Sequence, residues 1–255
     1  MVKRSMPGHI YFNNVTVTYG PKTALADVTL DMPEKQIFAI IGPANSGKTT
    51  LLKCINRTID FAPSAKVQGQ VLIDNEDIFR VKNVYELRRR VGMVFPLPVG
   101  LPLTVFENVA YAPRRAGTHD RHELESLVEK CLRQAMLWDE VKDRLDLLGT
   151  RLSGGQQQRL TLARALSLQP EILCLDEFSI AIDPITTMRI EDILRELKNQ
   201  MTIVLVTNLV QQARRLADHT AFFSNSRLIE AAETEKLFTQ PAQKLTERYL
   251  TGDYG

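Results

Sequence analysis

A glycine-rich loop lies in the first fifth of the chain and reads Gly42-Pro43-Ala44-Asn45-Ser46-Gly47-Lys48-Thr49-Thr50. The apolar run 37–41 precedes it and is typical of a buried β-strand, and the residues from Lys48 onward are typical of a helix. A strand, a phosphate-binding loop and a helix in this order predict a P-loop NTPase fold with a parallel α/β core.

The chemistry of this loop points to Mg²⁺ and ATP as its ligands. Glycines at 42 and 47 allow backbone N–H groups to turn inward around phosphate oxygens. Lys48 supplies positive charge to the β- and γ-phosphates, and the hydroxyl of Thr49 is a ligand for Mg²⁺. A chance glycine-rich turn is the alternative, and the flanking strand and helix argue against it.

A carboxylate pair ends a second apolar run further along the chain. Residues 172–175 are apolar throughout, and Asp176 and Glu177 follow them directly. Two acids at the end of a buried strand can hold Mg²⁺ and polarise an attacking water. By position we predict that Asp176 holds the metal and that Glu177 is the catalytic base.

The rest of the second half predicts a strand–helix–strand unit of a parallel sheet. Residues 203–206 form another apolar run, and between the two runs apolar residues recur at helical spacing: Ile190, Ile193, Leu194 and Leu197. Asp183 and Pro184 precede this helix as a cap and a first-turn proline.

A second Gly-Gly segment, with the sequence Leu152-Ser153-Gly154-Gly155-Gln156-Gln157-Gln158-Arg159, lies between the two motifs. Ser153 and Gln156 fit a capping box, which places them at the start of a helix. A helix N-terminus lined by glycine is well suited to bind an anion, although a well-capped helix without a ligand gives the same pattern.

The remaining pattern divides the chain into a core and an insertion. Residues 10–31 alternate like antiparallel strands and are interrupted by a turn at residues 19–21. Residues 93–155 contain a proline-rich stretch and an amphipathic pattern that predict a mostly helical subdomain. We therefore predict one domain over residues 1–255, with its core at about 1–92 and 156–255 and a helical subdomain at about 93–155.

Composition excludes several classes of protein. The chain has 255 residues, of which 44% are hydrophobic. Its net charge is only +2, so nothing in its charge balance requires nucleic acid as a partner. No apolar stretch is long enough to cross a bilayer, so a separate subunit would have to supply any channel. Three widely separated cysteines are predicted to be reduced core residues of a cytosolic protein.

These motifs together resemble the ATP-binding subunits of ABC transporters, and most closely those of phosphate-specific importers. The segments that carry the likeness are 86–95, 107–111, 137–145, 153–159, 221–223 and 246–255, together with the loop at 42–50 and the strand ending at Asp176 and Glu177. The resemblance extends over nearly the whole chain. It is specific for the ABC family and less specific for phosphate, because this subunit does not contact the transported ion.

The resemblance implies a function and a set of partners. The subunit would bind Mg·ATP, dimerise around two nucleotides and power a separate transmembrane permease from the cytoplasmic face of the cell membrane, with a phosphate-binding protein as an indirect partner. It also implies that Tyr19 stacks under the adenine and that Ser153, Gly154, Gly155 and Gln156 complete the partner subunit's site.

Three positions depart from the family pattern. Pro96 replaces a glutamine whose carbonyl reaches Mg²⁺, Asn208 replaces a histidine that contacts the γ-phosphate, and Ile180 replaces a hydroxyl residue between the subunits. No glutamine occurs between Gln70 and Gln134, so a shifted alignment does not restore the first of these. We therefore predict that ATP binds and that turnover is reduced, because groups that act on the γ-phosphate are changed.

Two alternatives remain open from the sequence. The chain could be a catalytically weakened, ATP-dependent dimerisation or regulatory subunit that pairs with an intact ATPase, which would make a heterodimer. It could also be the importer ATPase for another solute. Steady-state turnover tests the first alternative, and the permease that co-purifies tests the second.

Overall fold

The computed structural model describes residues 8–253, and its strands form two sheets. The strands are β1 (Ile10–Tyr19), β2 (Lys22–Met32), β3 (Ile37–Ile41), β4 (Ala65–Ile73), β5 (Glu76–Asp77), β6 (Val91–Val94), β7 (Ile172–Asp176), β8 (Thr202–Val206), β9 (His219–Ser224) and β10 (Arg227–Glu233). The predicted turn at residues 19–21 joins β1 to β2, which pair antiparallel as expected.

The α-helices connect these strands and cover the larger sheet. They are α1 (Lys48–Ile55), α2 (Val84–Arg90), α3 (Val105–Ala116), α4 (Arg121–Gln134), α5 (Trp138–Val141), α6 (Gly154–Leu166), α7 (Pro184–Leu197), α8 (Val210–Leu216), α9 (Thr234–Thr239) and α10 (Lys244–Thr251). Among residues 8–253, none of the helices is both long and apolar enough to cross a membrane.

The larger sheet has six strands in the order β10-β9-β3-β8-β7-β6, and it is parallel from β9 to β6. The smaller sheet has four antiparallel strands in the order β2-β1-β4-β5. Strands β3, β7 and β8 are buried along their whole length, as continuous apolar runs predict for strands covered on both faces. The predicted parallel α/β core with an antiparallel flank is confirmed.

Two hydrophobic clusters lie on opposite faces of the parallel sheet. Successive side chains of a strand point to opposite faces, so Leu173 and Leu175 pack with the helical subdomain while Ile172 and Cys174 pack toward α1 and the antiparallel sheet. The three cysteines are free and buried, and burial raises the pKa of the Cys54 and Cys131 thiols to about 12. Free cysteines in the core agree with the prediction from their number and spacing.

The helical segment differs slightly from its predicted limits. Met93 and Val94 belong to β6 and pair with β7, so they are part of the sheet rather than of the helical subdomain predicted from residue 93. The helices α3, α4 and α5 follow, and α6 begins at Gly154. Residues 1–7 and 254–255 of the predicted domain lie outside the described residues.

Candidate functional site

A cleft of about 450 Å³ lies where β3, β7 and β8 end, which is the edge at which open parallel sheets hold their ligands. It brings together residues that the sequence predicted for nucleotide binding and catalysis from four separate segments. Its lining is Tyr19, Lys22, Ala24, Ala44, Asn45, Ser46, Gly47, Lys48, Thr49, Thr50, Glu177 and Asn208.

The glycines of the phosphate loop hold positions that no other residue fits. Gly42 has φ +148°, and a Cβ there would lie 2.1 Å from the carbonyl oxygen of Phe223 on β9. Gly47 has φ +104°, and a Cβ there would lie 2.3 Å from the carbonyl oxygen of Ala24 on β2. The loop is therefore clamped between the two sheets with its backbone in contact with both.

Gly47→Ala is expected to disrupt the loop, since it meets both a left-handed backbone and a steric clash. Gly117→Ala is the matched control, because Gly117 has φ +113° but open space where its Cβ would go. The control should lose about 1 kcal/mol of stability, the usual penalty for alanine in this conformation. Gly47→Ala should lose more stability and should also weaken ATP binding at least roughly 10-fold, or about 1.4 kcal/mol. Thermal unfolding and ATP titration measure the two effects, and equal behaviour of the variants would contradict this assignment.

Lys48 is a cationic residue of the cleft lining. Its Nζ donates hydrogen bonds of 2.8 Å to the carbonyl oxygens of both Gly42 and Pro43, which fold the side chain back along the loop. Burial lowers the pKa of Lys48, while the nearby carboxylates of Glu177 and Asp176 oppose that shift. An ammonium group held among loop carbonyls, beside two acids, is placed to meet phosphate oxygens.

Asp176 and Thr49 form the part of the site that could hold a metal ion. Both carboxylate oxygens of Asp176 are buried without a hydrogen-bond partner of good geometry, although the Thr49 hydroxyl lies close by. Burial raises the pKa of Asp176; the Thr49 hydroxyl opposes the rise and the Glu177 carboxylate adds to it. A buried carboxylate without partners is costly unless a cation satisfies it, so these residues fit Mg²⁺.

Glu177 has an unusual backbone and a defined side-chain partner. Its φ is +47°, which is rare for a residue with a side chain, and its N–H donates to the Val206 carbonyl at the end of β8. Asn208 donates from Nδ2 to Glu177 Oε1 at 2.5 Å. The family resemblance implies that Asn208 lies near the γ-phosphate, and in the structure its amide contacts the carboxylate predicted to be the base.

The Gly-Gly segment begins α6, outside the cleft. Ser153 and Gln156 form the predicted capping box, and the Gln156 side chain also donates to Glu140 on α5. Ser153 and Gly154 are exposed, and Gly155 packs against the carbonyl of Ala181. These residues do not line the cleft that their own chain forms.

The loop that contains Pro96 is tied to α6 along its length. The Phe95 carbonyl accepts a 2.9 Å hydrogen bond from Gln158, and the Gly100 N–H donates to Gln157 at 3.0 Å. The Val99 carbonyl accepts from Arg164 at 3.2 Å. Pro96 therefore lies in a loop whose path is fixed by the helix that follows the Gly-Gly segment.

Sequence reasoning missed several residues of the site. Lys22 and Ala24 line the cleft because β2 pairs with β1, and Lys22 lies directly opposite Tyr19. The turn at residues 19–21 was the signal that could have found them. Gln212 contacts the two loops that carry Glu177 and Asn208, which are predicted to be catalytic, and nothing in its local sequence marks it.

Comparison with known families and proteins agrees with this geometry. The ABC transporter family profile matches residues 25–179, which is more than half of the chain. The Phosphate import ATP-binding protein PstB 3 of Streptococcus pneumoniae serotype 4 is 45% identical to this chain, over 97% of this chain and 100% of that protein.

Solved structures are similar over most of the chain. The ATP-binding cassette MJ0796, in a dimeric post-hydrolysis state with ADP and Pi, has a TM-score of 0.77 and 29% identity, with coverage of 88% of this chain and 98% of that one. The cbiO1 protein of Clostridium perfringens, with a TM-score of 0.78, 22% identity and 92% coverage of both chains, shares the fold. The chain therefore belongs to the ABC transporter family, and it is an ATPase of that family.

Proposed function

We propose that this chain is the ATP-hydrolysing subunit of an importer for inorganic phosphate. It would act as a peripheral subunit on the cytoplasmic face of the cell membrane and drive a separate permease that receives phosphate from a binding protein. The observation that carries the proposal is the 45% identity to a phosphate import ATP-binding protein along that protein's entire length. The cleft brings together Lys48, Thr49 and Glu177, whose side chains are those proposed here to bind and hydrolyse ATP.

The residues of the cleft divide the work of binding and hydrolysis. Lys48 and the loop backbone from Gly42 to Thr50 would hold the phosphates, and Tyr19 would lie against the adenine. Thr49 and Asp176 would hold Mg²⁺, which neutralises charge on the phosphates when bound. Glu177 would take the proton of the attacking water, and Asn208 fixes the carboxylate for that step.

The exposed start of α6 supports a dimer as the working form. Ser153 and Gly154 present a capped helix N-terminus to solvent rather than to their own cleft. Such a helix end favours an anion, and a second subunit would bring one in the form of its bound ATP. We propose that Ser153, Gly154, Gly155 and Gln156 complete the site of the partner subunit, which is either a second copy or a related chain.

Stimulation of ATPase activity by transport tests the proposed solute. The chain is reconstituted in liposomes with the permease that co-purifies with it and with the matching binding protein, and ATP hydrolysis is measured with phosphate or with sulfate. Phosphate should stimulate hydrolysis and sulfate should not. Equal stimulation by both anions, or stimulation by a different solute, would assign the chain to another importer.

A catalytically weakened regulatory subunit is the second candidate, and Pro96 and Asn208 favour it. Pro96 has no side-chain oxygen for Mg²⁺, and Asn208 cannot carry positive charge. Steady-state phosphate release at saturating Mg·ATP separates the candidates, because a regulatory subunit would bind ATP without sustained turnover. If mixing with an intact ATPase subunit gives more activity than the sum of the two alone, the chain works in a heterodimer.

Asn208→His is expected to raise kcat by about 10-fold, which is less than the roughly 10²- to 10³-fold that one donor to a developing charge contributes, because Asn208 already donates a hydrogen bond. A histidine at 208 should also introduce a dependence on pH near its ordinary pKa of about 6.5, with activity changing as the imidazole titrates. Steady-state phosphate release, assayed from about pH 5.5 to about pH 8.5 so that the range includes the histidine pKa, measures both effects. Unchanged or slower turnover would show that Asn208 already performs the histidine's role.

Pro96→Gln alone is expected to change kcat little, because hydrogen bonds from Gln157, Gln158 and Arg164 fix the loop around residue 96. The double variant with Asn208→His should exceed Asn208→His alone, since both side chains act on one transition state. A large gain from Pro96→Gln alone would mean that the loop is free to move toward the metal.

A further inference from the structure

The two loops that carry Glu177 and Asn208 are connected by hydrogen bonds among buried polar side chains, with Gln212 on α8 at the centre of this network. We infer that Gln212 is a positioning residue for ATP hydrolysis, which holds Asn208 in place to fix the catalytic carboxylate and links that contact to the segment around Ile180. The inference rests on the proposed role of Glu177 in hydrolysis.

Gln212 is 1% exposed and contacts three other segments through its amide. Its Oε1 accepts a 2.8 Å hydrogen bond from the Thr207 hydroxyl, and its Nε2 donates to Glu191 at 3.0 Å and to Ser179 Oγ at 3.4 Å. Thr207 directly precedes Asn208, and Ser179 follows Glu177 by two residues. One buried side chain therefore connects both loops.

The orientation of the Gln212 amide is fixed by charge. Glu191 on α7 is 1% exposed and receives a bidentate pair of hydrogen bonds from Arg215, at 2.8 and 2.9 Å. A carboxylate only accepts hydrogen bonds, so the NH₂ group of Gln212 must face Glu191 and its carbonyl must face Thr207. A flipped amide would bring its oxygen against the carboxylate of Glu191, inside the protein, where such a contact is strongly unfavourable.

The hydrogen bonds of Thr207 connect the oriented Gln212 amide to the backbone of the loop that carries Asn208. The Thr207 hydroxyl has one proton, which it donates to Gln212, so its oxygen is left to accept the 3.0 Å hydrogen bond from the Leu209 N–H. Asn208 lies between Thr207 and Leu209, and its side-chain amide donates to Glu177. Gln212 orients the Thr207 hydroxyl, and this hydroxyl in turn holds the Leu209 N–H on the other side of Asn208.

The other arm of Gln212 reaches a segment that faces outward. Ser179 is 9% exposed, whereas its neighbour Ile180 is 66% exposed and is therefore accessible to a partner subunit. A partner that moves Ile180 would shift Ser179 against Gln212, and through Thr207 it would shift Asn208. The chain of contacts thus gives a physical path from the exposed segment around Ile180 to the Glu177 carboxylate.

Gln212→Met tests the inference, because methionine keeps the length of the side chain and removes both hydrogen-bonding groups. We expect kcat to fall between about 10-fold and 100-fold, the range associated with slight misplacement of a reacting group. The dissociation constant for ATP should change less than about 3-fold, or less than about 0.7 kcal/mol, because the phosphate loop is untouched. Gln211→Met is the matched control, since Gln211 is the exposed neighbour on the same helix.

A double-mutant cycle separates positioning from general destabilisation. Asn208→Ala removes the amide that Gln212 is inferred to aim, so Gln212→Met should have little further effect on kcat in that background. If Gln212→Met lowers kcat by the same factor with and without Asn208, or leaves kcat of the otherwise unchanged protein unaltered, the inference is wrong. Ser179→Ala, which removes one contact only, is used if Gln212→Met does not fold, and it should lower kcat to a smaller extent.

Amide hydrogen exchange gives a readout that does not depend on turnover. Gln212→Met should accelerate exchange at Leu209, whose N–H is bound by Thr207, while exchange in the loop at 42–50 stays unchanged. Unchanged exchange at Leu209 would overturn the inference even if the wild-type protein hydrolyses no ATP. Absence of wild-type hydrolysis together with faster exchange would instead count against the proposed ATPase role and leave the positioning contact standing.

Discussion

Lys48→Ala is expected to weaken ATP binding by about 100-fold or more, which removes binding at ordinary nucleotide concentrations. The side chain offers an ammonium group to the β- and γ-phosphates, and each hydrogen bond to a charged group contributes roughly 1.5 kcal/mol or more. Two such bonds correspond to about two factors of ten in the dissociation constant. The neighbouring acids Asp176 and Glu177 would then repel the phosphates with one compensating cation fewer in the site.

Titration with a fluorescent ATP analogue in the presence of Mg²⁺ measures this loss. Lys130→Ala on α4 is the matched control, because it removes an exposed lysine that does not line the cleft. Thermal unfolding without nucleotide shows whether the loop survives, since Lys48 also satisfies the carbonyls of Gly42 and Pro43. Binding that does not depend on Lys48 would mean that the cleft is not the nucleotide site.

The features that the sequence predicted correctly are local ones. The capping box of Ser153 and Gln156, the cap of α7 by Asp183 and the hairpin turn at residues 19–21 each depend on a few consecutive residues. Wholly apolar runs correctly predicted β3, β7 and β8, because a strand that is covered on both faces has apolar side chains on both. Local chemistry decided each of these features.

The features that the sequence could not give depend on contacts between distant segments. The hydrogen bond from Asn208 to Glu177 crosses 31 positions, and the one from Gln158 to Phe95 crosses 63. A motif shows which residue types are present, but it does not show which atom of an amide faces a carboxylate. The sequence predicts that the helical subdomain begins at residue 93 for a related reason, because the short strand β6 is recognisable only by its pairing with β7.

Glu177→Gln is expected to lower kcat by roughly 10²- to 10⁴-fold, the usual contribution of a general base. The substitution is unusually clean in this site. A glutamine carbonyl still accepts a hydrogen bond, so Asn208 Nδ2 keeps its partner. Glutamine also has the same shape as glutamate, so it adds no strain to the backbone at φ +47°. Binding groups are left in place, because Lys48, Thr49 and Asp176 are unchanged. ATP should therefore bind without being consumed and should hold two subunits together.

Size-exclusion chromatography with ATP and Mg²⁺, run beside a phosphate-release assay, tests both parts of this expectation. Glu177→Gln should elute as a dimer with ATP and as a monomer without it. Glu196→Gln, at an exposed glutamate on α7, is the matched control and should hydrolyse ATP like the unchanged protein.

A Glu177→Gln protein that stays monomeric at every protein and nucleotide concentration would contradict the dimer. One that hydrolyses ATP at the original rate would show that another group is the base. The Asp176 carboxylate, like that of Glu177, acts to raise the pKa of Lys48, so Asp176→Asn would be the next variant to measure.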